Sequence, residues 1–231
     1  MKEIAILMAA GLGSRMRPVT DTMPKPLVPV HGKPMIETVV EGLLARGIDE
    51  IYVITGYLNE KFEEWKSKYP EVKTIHNQDY LTINNISSIY AAREILGRSN
   101  CFICESDLVV SDPSIFKKDL KGSCYYGRMQ QGLSEDWLFE TDDNGRIRRV
   151  GKVGTDCYNM VGVAYFTKED AGILREEVVK YMESGECNEW FWDDVVNVNL
   201  DKLNLYVEPV VEGQLVEIDT VEELERVNNE G

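Results

Sequence analysis

The chain has 231 residues, 43% hydrophobic and 28% charged, ordinary globular proportions that exclude collagen, coiled coil and wholesale disorder. At ~100–200 residues per domain it makes one large domain or two small ones; with no linker, repeat or low-complexity segment, we read 1–231 as a single domain. A net charge of −15 argues against nucleic acid and anionic membrane surfaces as partners, since both are held by Lys and Arg neutralising phosphate.

In chain order, Ile4–Met8 reads as a buried strand that runs straight into Gly11-Leu12-Gly13 rather than as a signal peptide. No run approaches the ~20 apolar residues of a membrane span. The pattern predicts a helix over Pro34–Arg46 closed by Gly47, and a strand over Ile51–Thr55. A helix over Asn59–Tyr69, a strand over Val72–His76, a helix over Ser87–Leu96 capped by Asn84 or Asn85, and a strand over Cys101–Cys104 follow. The alternation predicts an α/β fold with a mostly parallel sheet. Beyond Asp107 the texture changes. Ser123–Arg128, Trp137–Glu140 and Ile147–Val150 read as short strands with a turn at Asp143-Asn144-Gly145, forming a small antiparallel insertion. A strand over Val161–Phe166, helices over Lys168–Ser184 and Trp190–Asn197, and a strand over Leu205–Val210 come next. The last helix, Thr220–Asn228, opens on a Thr-x-x-Glu capping box. The five cysteines are scattered. Cys101 and Cys104 stand three apart on a strand and so face opposite ways, which suits reduced thiols in a cytoplasmic protein better than a redox or zinc pair.

Charge is uneven. Residues 1–33 carry a net +3 from Lys2, Arg15, Arg17, Lys25 and Lys33 against Glu3 and Asp21, so an anion has reason to bind there. The segment Ala9-Ala10-Gly11-Leu12-Gly13-Ser14-Arg15-Met16-Arg17-Pro18-Val19-Thr20, followed by Pro24-Lys25-Pro26, succeeds the first strand. Glycines let backbone N–H groups approach a phosphate, and the basic groups supply charge beside it. The spacing is neither that of a P-loop nor the Gly-x-Gly-x-x-Gly of a dinucleotide fold.

These residues resemble the signature of the nucleotidyltransferases that activate sugar phosphates or small head groups with an NTP. Tyr80 to Tyr90, with its Asn84-Asn85-x-x-Ser88 core, is similar to a segment of the bacterial CTP:phosphocholine cytidylyltransferases. So are Asp136-Trp137, Gly162-Val163, Phe191-Trp192-Asp193 and Glu217-Ile218-Asp219, and the same subgroup includes enzymes acting on 2-aminoethylphosphonate. The resemblance implies a Rossmann-like α/β/α sandwich, nucleotide-binding to about residue 110 and acceptor-binding beyond it. It also implies CTP as one substrate, Mg2+ as the cofactor, and pyrophosphate release.

The resemblance further implies that Ala9, Ala10, Gly11, Gly13 and Ser14 cradle the nucleotide, that Arg15 binds the β- and γ-phosphates, and that Lys25 binds the α-phosphate. Tyr80, Asn84, Asn85 and Ser88 are candidate base contacts, with helix capping as the rival role for the asparagines. It makes Asp107 and Asp219 the metal ligands, although Asp219 also stands where it can cap the last helix. Lys152 is a candidate acceptor-phosphate contact or a surface lysine. Trp137, Tyr158, Glu189, Trp190, Trp192 and Asp194 are candidates for a cationic acceptor, since aromatic faces and carboxylates attract an ammonium; core packing is the alternative for the aromatics. Asp194 stands where phosphocholine relatives have Asn, and a carboxylate accepts hydrogen bonds that only a primary ammonium can donate. This favours 2-aminoethylphosphonate or phosphoethanolamine over phosphocholine. An already ionised acceptor oxygen needs no general base, in keeping with a chain whose only histidines are His31 and His76. A sugar-1-phosphate nucleotidyltransferase and a non-catalytic nucleotide-binding module are the alternatives, and a homodimer is left open.

Overall fold

A computed structural model of the chain, described over residues 2–230, is built on a seven-stranded sheet. Strand β1 (Glu3–Ala9) is central, flanked in parallel by β4 (Ile51–Thr55) and β6 (Asn100–Glu105), with β5 (Val72–His76) parallel at one edge. The strands are apolar runs because both sheet faces are covered. Successive residues alternate between two cores. Ile4, Ile6, Cys101 and Ile103 enter one, while Ala5, Leu7, Phe102 and Cys104 enter the other. The Cys101/Cys104 pair is thereby split across the sheet, and all five cysteines are free and buried.

Helices α1 (Met35–Arg46) and α2 (Asn59–Trp65) cover one face through Val39, Leu43, Phe62 and Trp65. Helices α3 (Ile86–Ala91), α4 (Lys168–Ser184) and α5 (Trp192–Val198) cover the other through Ile89, Leu174, Val178 and Val195. Among the described residues no helix is long and apolar enough to cross a membrane.

Three expectations change. The separate short strands are two long ones, β8 (Ser123–Thr141) and β9 (Ile147–Phe166), joined by the expected turn. Gly132, Val153 and Asp156 adopt positive φ within them, so interruptions that read as strand ends are bulges absorbed by one continuous ladder. Consequently the antiparallel hairpin is part of the main sheet: β9 pairs with β6 and β8, and β10 (Leu205–Pro209) adds in parallel to β8. Finally, α3 is short and has no side-chain cap, because Asn84 and Asn85 spend their amides elsewhere.

Three small elements position the cleft. Ribbon strands β2 (Pro29–Val30) and β3 (Lys33–Pro34) lead into α1. Strand β7 (Leu108–Val110) pairs antiparallel with β11 (Leu215–Glu217), and the Ile218 N–H bonds the Asp107 carbonyl at 3.2 Å, so two acidic segments over a hundred residues apart become neighbours. A third apolar cluster of Met16, Val28, Met35, Val109, Ile218 and Leu224 clamps the N-terminal loop to this ribbon and to α6 (Val221–Asn229).

Arg46 ties the end of α1 to β1. Its Nε and Nη2 donate to Glu3 at 2.6 and 2.9 Å, and Nη1 donates to the carbonyls of Phe116 and Lys118. Burial works to raise the Glu3 pKa, but the bonds from Arg46 and Tyr165 outweigh it and hold it below the ordinary glutamate value. Replacing Arg46→Leu leaves a half-buried carboxylate unpaired and is expected to cost ~2–3 kcal/mol at pH 7, less than for a fully buried pair because water reaches the site. A depressed carboxyl pKa stabilises above the unfolded value and is lost as pH falls. Urea unfolding should therefore show the deficit narrowing as acid protonates Glu3.

Candidate active site

The Gly-rich loop leaves the carboxyl end of β1, where open α/β sheets bind ligands. Gly13 is left-handed (φ 61°), and a Cβ there would sit 3.0 Å from both Lys25 Cβ and Thr20 Cγ2, so only glycine lets the loop lie on Lys25. No atom lies within 4 Å of the Cβ position of Gly11, which borders a cleft of ≈ 460 Å³. Met16 is fully buried and anchors the turn, leaving Arg15 on the cleft wall.

Of the residues expected from sequence, Ala9, Ala10, Gly11, Gly13, Ser14, Arg15, Lys25, Asn84, Asn85, Ser88, Asp107 and Asp219 all line this cleft. Lys25 is its pivot. Nζ stands 2.5 Å from Asp107 Oδ2 and 2.6 Å from Asp219 Oδ1, and Arg15 Nη2 is 2.7 Å from the same Asp219 oxygen. Burial disfavours the Lys25 charge, yet the two carboxylates prevail and hold its pKa above the ordinary lysine value. The rival role for Asp219 falls away: Thr220 and Glu223 form the capping box of α6 between themselves, leaving the Asp219 carboxylate to the cleft.

Two acidic groups went unassigned at the sequence level. Glu105, Asp107 and Glu217 each place a carboxylate oxygen within 4.8 Å of the others'. Burial first, then repulsion from neighbouring carboxylates, pushes both carboxyls above their ordinary values, Glu217 and Asp107 acting on Glu105, and Asp107 and Asp219 on Glu217. Each lies two residues before an assigned aspartate, the spacing that keeps side chains on one face of an extended chain. An oxygen-only carboxylate set of this kind suits a hard cation such as Mg2+. Gly162 makes the room: a Cβ there would meet Glu105 Oε2 at 3.0 Å. Gly56 was likewise overlooked. Its Cβ would lie 2.6 Å from the Ala10 carbonyl oxygen and 2.7 Å from Tyr80 Cγ, so Tyr80 supports the loop from outside the cleft.

The acceptor candidates are the weakest part of the sequence reading. Asp194 Oδ2 accepts the Phe191 N–H at 2.8 Å and so caps α5 instead of facing a ligand. Trp190 packs at a tilt on Tyr181 of α4 at 4.8 Å, and Glu189 is exposed, contributing its carbonyl to Asn84. Tyr158 is half-buried against the core. Trp137 packs on Phe191 at 5.3 Å, and the exposed Lys152 holds its ammonium over both rings at 5.3 and 5.6 Å, off the cleft wall. Trp192 is buried, stacked on Tyr125, and lines a small cavity with Glu105, Met160 and Gly162. The carboxylate on this side is Asp193, 3% exposed, which accepts the Tyr125 hydroxyl at 3.0 Å. Burial pushes its carboxyl up to about 7 despite that hydrogen bond, with Asp194 adding repulsion.

A Gly-rich anion loop, a lysine between aspartates and an acidic cluster at the end of a doubly covered sheet define a nucleotide-handling enzyme. Residues 4–125 match the nucleotidyl transferase family, and the chain belongs to it. A 2-aminoethylphosphonate cytidylyltransferase of Lancefieldella rimae is 49% identical over 224 residues, spanning 96% of this chain and 91% of that protein. A choline-phosphate cytidylyltransferase of Streptococcus pneumoniae is 32% identical and spans 96% of each. The solved CTP:phosphocholine cytidylyltransferase of S. pneumoniae superposes with a TM-score of 0.90 at 31% identity over 99% of both chains. A putative glucose-1-phosphate thymidylyltransferase of Bacillus anthracis, at 19% identity and a TM-score of 0.79, shares the fold.

Two outcomes follow. Gly56→Ala must displace the Ala10 carbonyl or the Tyr80 ring, at ~1–3 kcal/mol of stability; steady-state kinetics should show the nucleotide KM rising more than the acceptor KM. Asp193 has a raised pKa, so its stabilising contribution is full below about pH 4 and is lost as pH rises through about 7. Asp193→Asn keeps the acceptor for Tyr125 and removes the buried charge. Thermal unfolding should show little change at pH 4 and a gain of ~2 kcal/mol, or ~4–8 °C, at pH 8.

Proposed function

We propose that the protein transfers CMP from CTP to 2-aminoethylphosphonate, releasing pyrophosphate. The observation that carries this reading is the Lys25 ammonium held by Asp107 and Asp219 in a cleft of ≈ 460 Å³ under the Gly-rich loop, with Arg15 beside them. Gly11 and Gly13 border the cleft where a triphosphate would lie, and in this reading Arg15 supplies charge to the leaving pyrophosphate and Lys25 to the α-phosphate. Asp107 and Asp219, with Glu105 and Glu217 alongside, would hold Mg2+. That ion supplies charge neutralisation at the phosphates. A phosphonate oxygen, already ionised at pH 7, attacks the α-phosphorus in line, so positioning and electrostatics carry the rate. The cleft accordingly lacks histidine.

Asp193, beside the Tyr125–Trp192 stack, is the carboxylate this reading assigns to the acceptor ammonium, in place of Asp194. A primary ammonium donates N–H bonds to it and a trimethylammonium cannot. The 49% identity to a 2-aminoethylphosphonate enzyme supports the same choice over phosphocholine. A non-catalytic module would have no reason to assemble Arg15, Lys25, Asp107 and Asp219 in one cleft.

Pyrophosphate release with CTP, UTP, ATP and GTP against 2-aminoethylphosphonate, phosphoethanolamine, phosphocholine and glucose-1-phosphate tests the assignment. CTP with 2-aminoethylphosphonate should give the highest kcat/KM, with activity abolished by chelating Mg2+; comparable turnover with UTP, or a preference for phosphocholine, contradicts it. Lys25→Ala should lower kcat by ~10²–10³ with a smaller change in the KM for CTP, as expected for a contact strongest in the transition state.

A further inference from the structure

Asn84 and Asn85 line the nucleotide cleft, yet the hydrogen bonds they make to the rest of the fold run to the acceptor side. The Asn84 N–H donates to the Asn188 carbonyl at 2.7 Å, and Asn84 Nδ2 donates to the Glu189 carbonyl at 3.1 Å. Asn85 Oδ1 accepts the Trp192 N–H at 2.9 Å. The segment held in this way carries Phe191, which packs on Trp137, and Trp192, whose ring lines the small cavity beside Glu105. The acceptor side is thus suspended from two residues of the nucleotide wall.

An amide has one accepting end and one donating end. The Trp192 N–H can only donate, so the Asn85 atom that meets it must be oxygen, and the orientation of the amide is set without any choice of flip. Its NH2 remains for the cleft, as a donor only. Such a donor satisfies a phosphate oxygen or the O2 or N3 of cytosine, and opposes the N3–H of uracil.

We propose that Asn85 is a positioning residue that couples the two substrates: its oxygen holds the acceptor segment while its nitrogen bonds the nucleotide. One planar group serves both sides. A nucleotide on the nitrogen and an acceptor against the segment held by the oxygen both favour the same placement of this amide, so each stabilises the arrangement that the other requires. Coupling of this kind is reciprocal. The inference rests on the acceptor reading above.

Calorimetric titration of wild-type protein with 2-aminoethylphosphonate, with and without saturating α,β-methylene-CTP and Mg2+, measures the coupling. The nucleotide analogue should tighten acceptor binding at least ~5-fold, the lower end of ordinary allosteric coupling. In Asn85→Ala the factor should fall to within about two-fold of one. Asn85→Asp keeps an oxygen for the Trp192 N–H and loses the donor, so its coupling factor should fall in the same way, whatever its added charge does to acceptor affinity alone, while its thermal unfolding stays near that of wild type, a separation that simple loosening of the fold would not produce. A wild-type factor of one, or an unchanged factor in Asn85→Ala, overturns the proposal. Turnover distinguishes the two failures: no turnover by wild type with CTP and 2-aminoethylphosphonate or phosphocholine defeats the acceptor reading and this inference together. Turnover with an unchanged factor defeats the inference alone.

Discussion

The site depends on one contact, the ammonium of Lys25 between the carboxylates of Asp107 and Asp219. It joins three parts of the chain that share no local reason to meet: the loop after β1, the end of β6 and the end of β11. Removing the cation would leave two part-buried carboxylates facing Glu105 and Glu217 with only Arg15 to offset them. The surrounding apolar cluster from Met16 to Leu224 and the β7–β11 ribbon make the geometry of this contact unavoidable once the sheet has formed.

That arrangement also explains how a chain of net charge −15 can handle a polyanion. The positive groups are few and follow the Gly-rich loop, where Lys25 and Arg15 directly contact the carboxylates of Asp107 and Asp219. Those contacts offset part of the acidic charge, so the basic groups and the Gly-rich loop border one cleft rather than a uniformly negative surface. Asp107 and Asp219 are also why the Lys25 charge is favoured despite burial.

The acceptor side follows a different logic. Its aromatic residues chiefly build the core: Trp192 stacks on Tyr125 and meets Phe166 edge-on, Tyr181 and Trp190 pack at a tilt, and Trp137 is shared with Phe191 and Lys152. Among them lies Asp193, whose carboxyl burial raises to about 7 although it accepts the Tyr125 hydroxyl. Of two adjacent aspartates, one caps a helix and the other faces the interior, a division made by the turn at the start of α5.

The order of the strands, the helices at 34–46, 168–184 and 220–228, and the Gly-rich loop with Arg15 and Lys25 were legible in the residues, because each rests on local periodicity, capping or backbone freedom. Asp107 and Asp219 were legible too, through family resemblance. The length of β8 and β9 was not, since bulges at Gly132, Val153 and Asp156 look like strand ends until a partner strand continues past them. Nor was the division of labour between Asp193 and Asp194, or between Asp219 and Thr220, because neighbours in sequence are separated only by which way the backbone turns. Glu105, Glu217, Gly56 and the outward bonds of Asn84 and Asn85 acquire meaning solely through groups far away in the chain. Local chemistry thus determined which residues could serve a nucleotide, and the packing of distant segments decided which of them face one another.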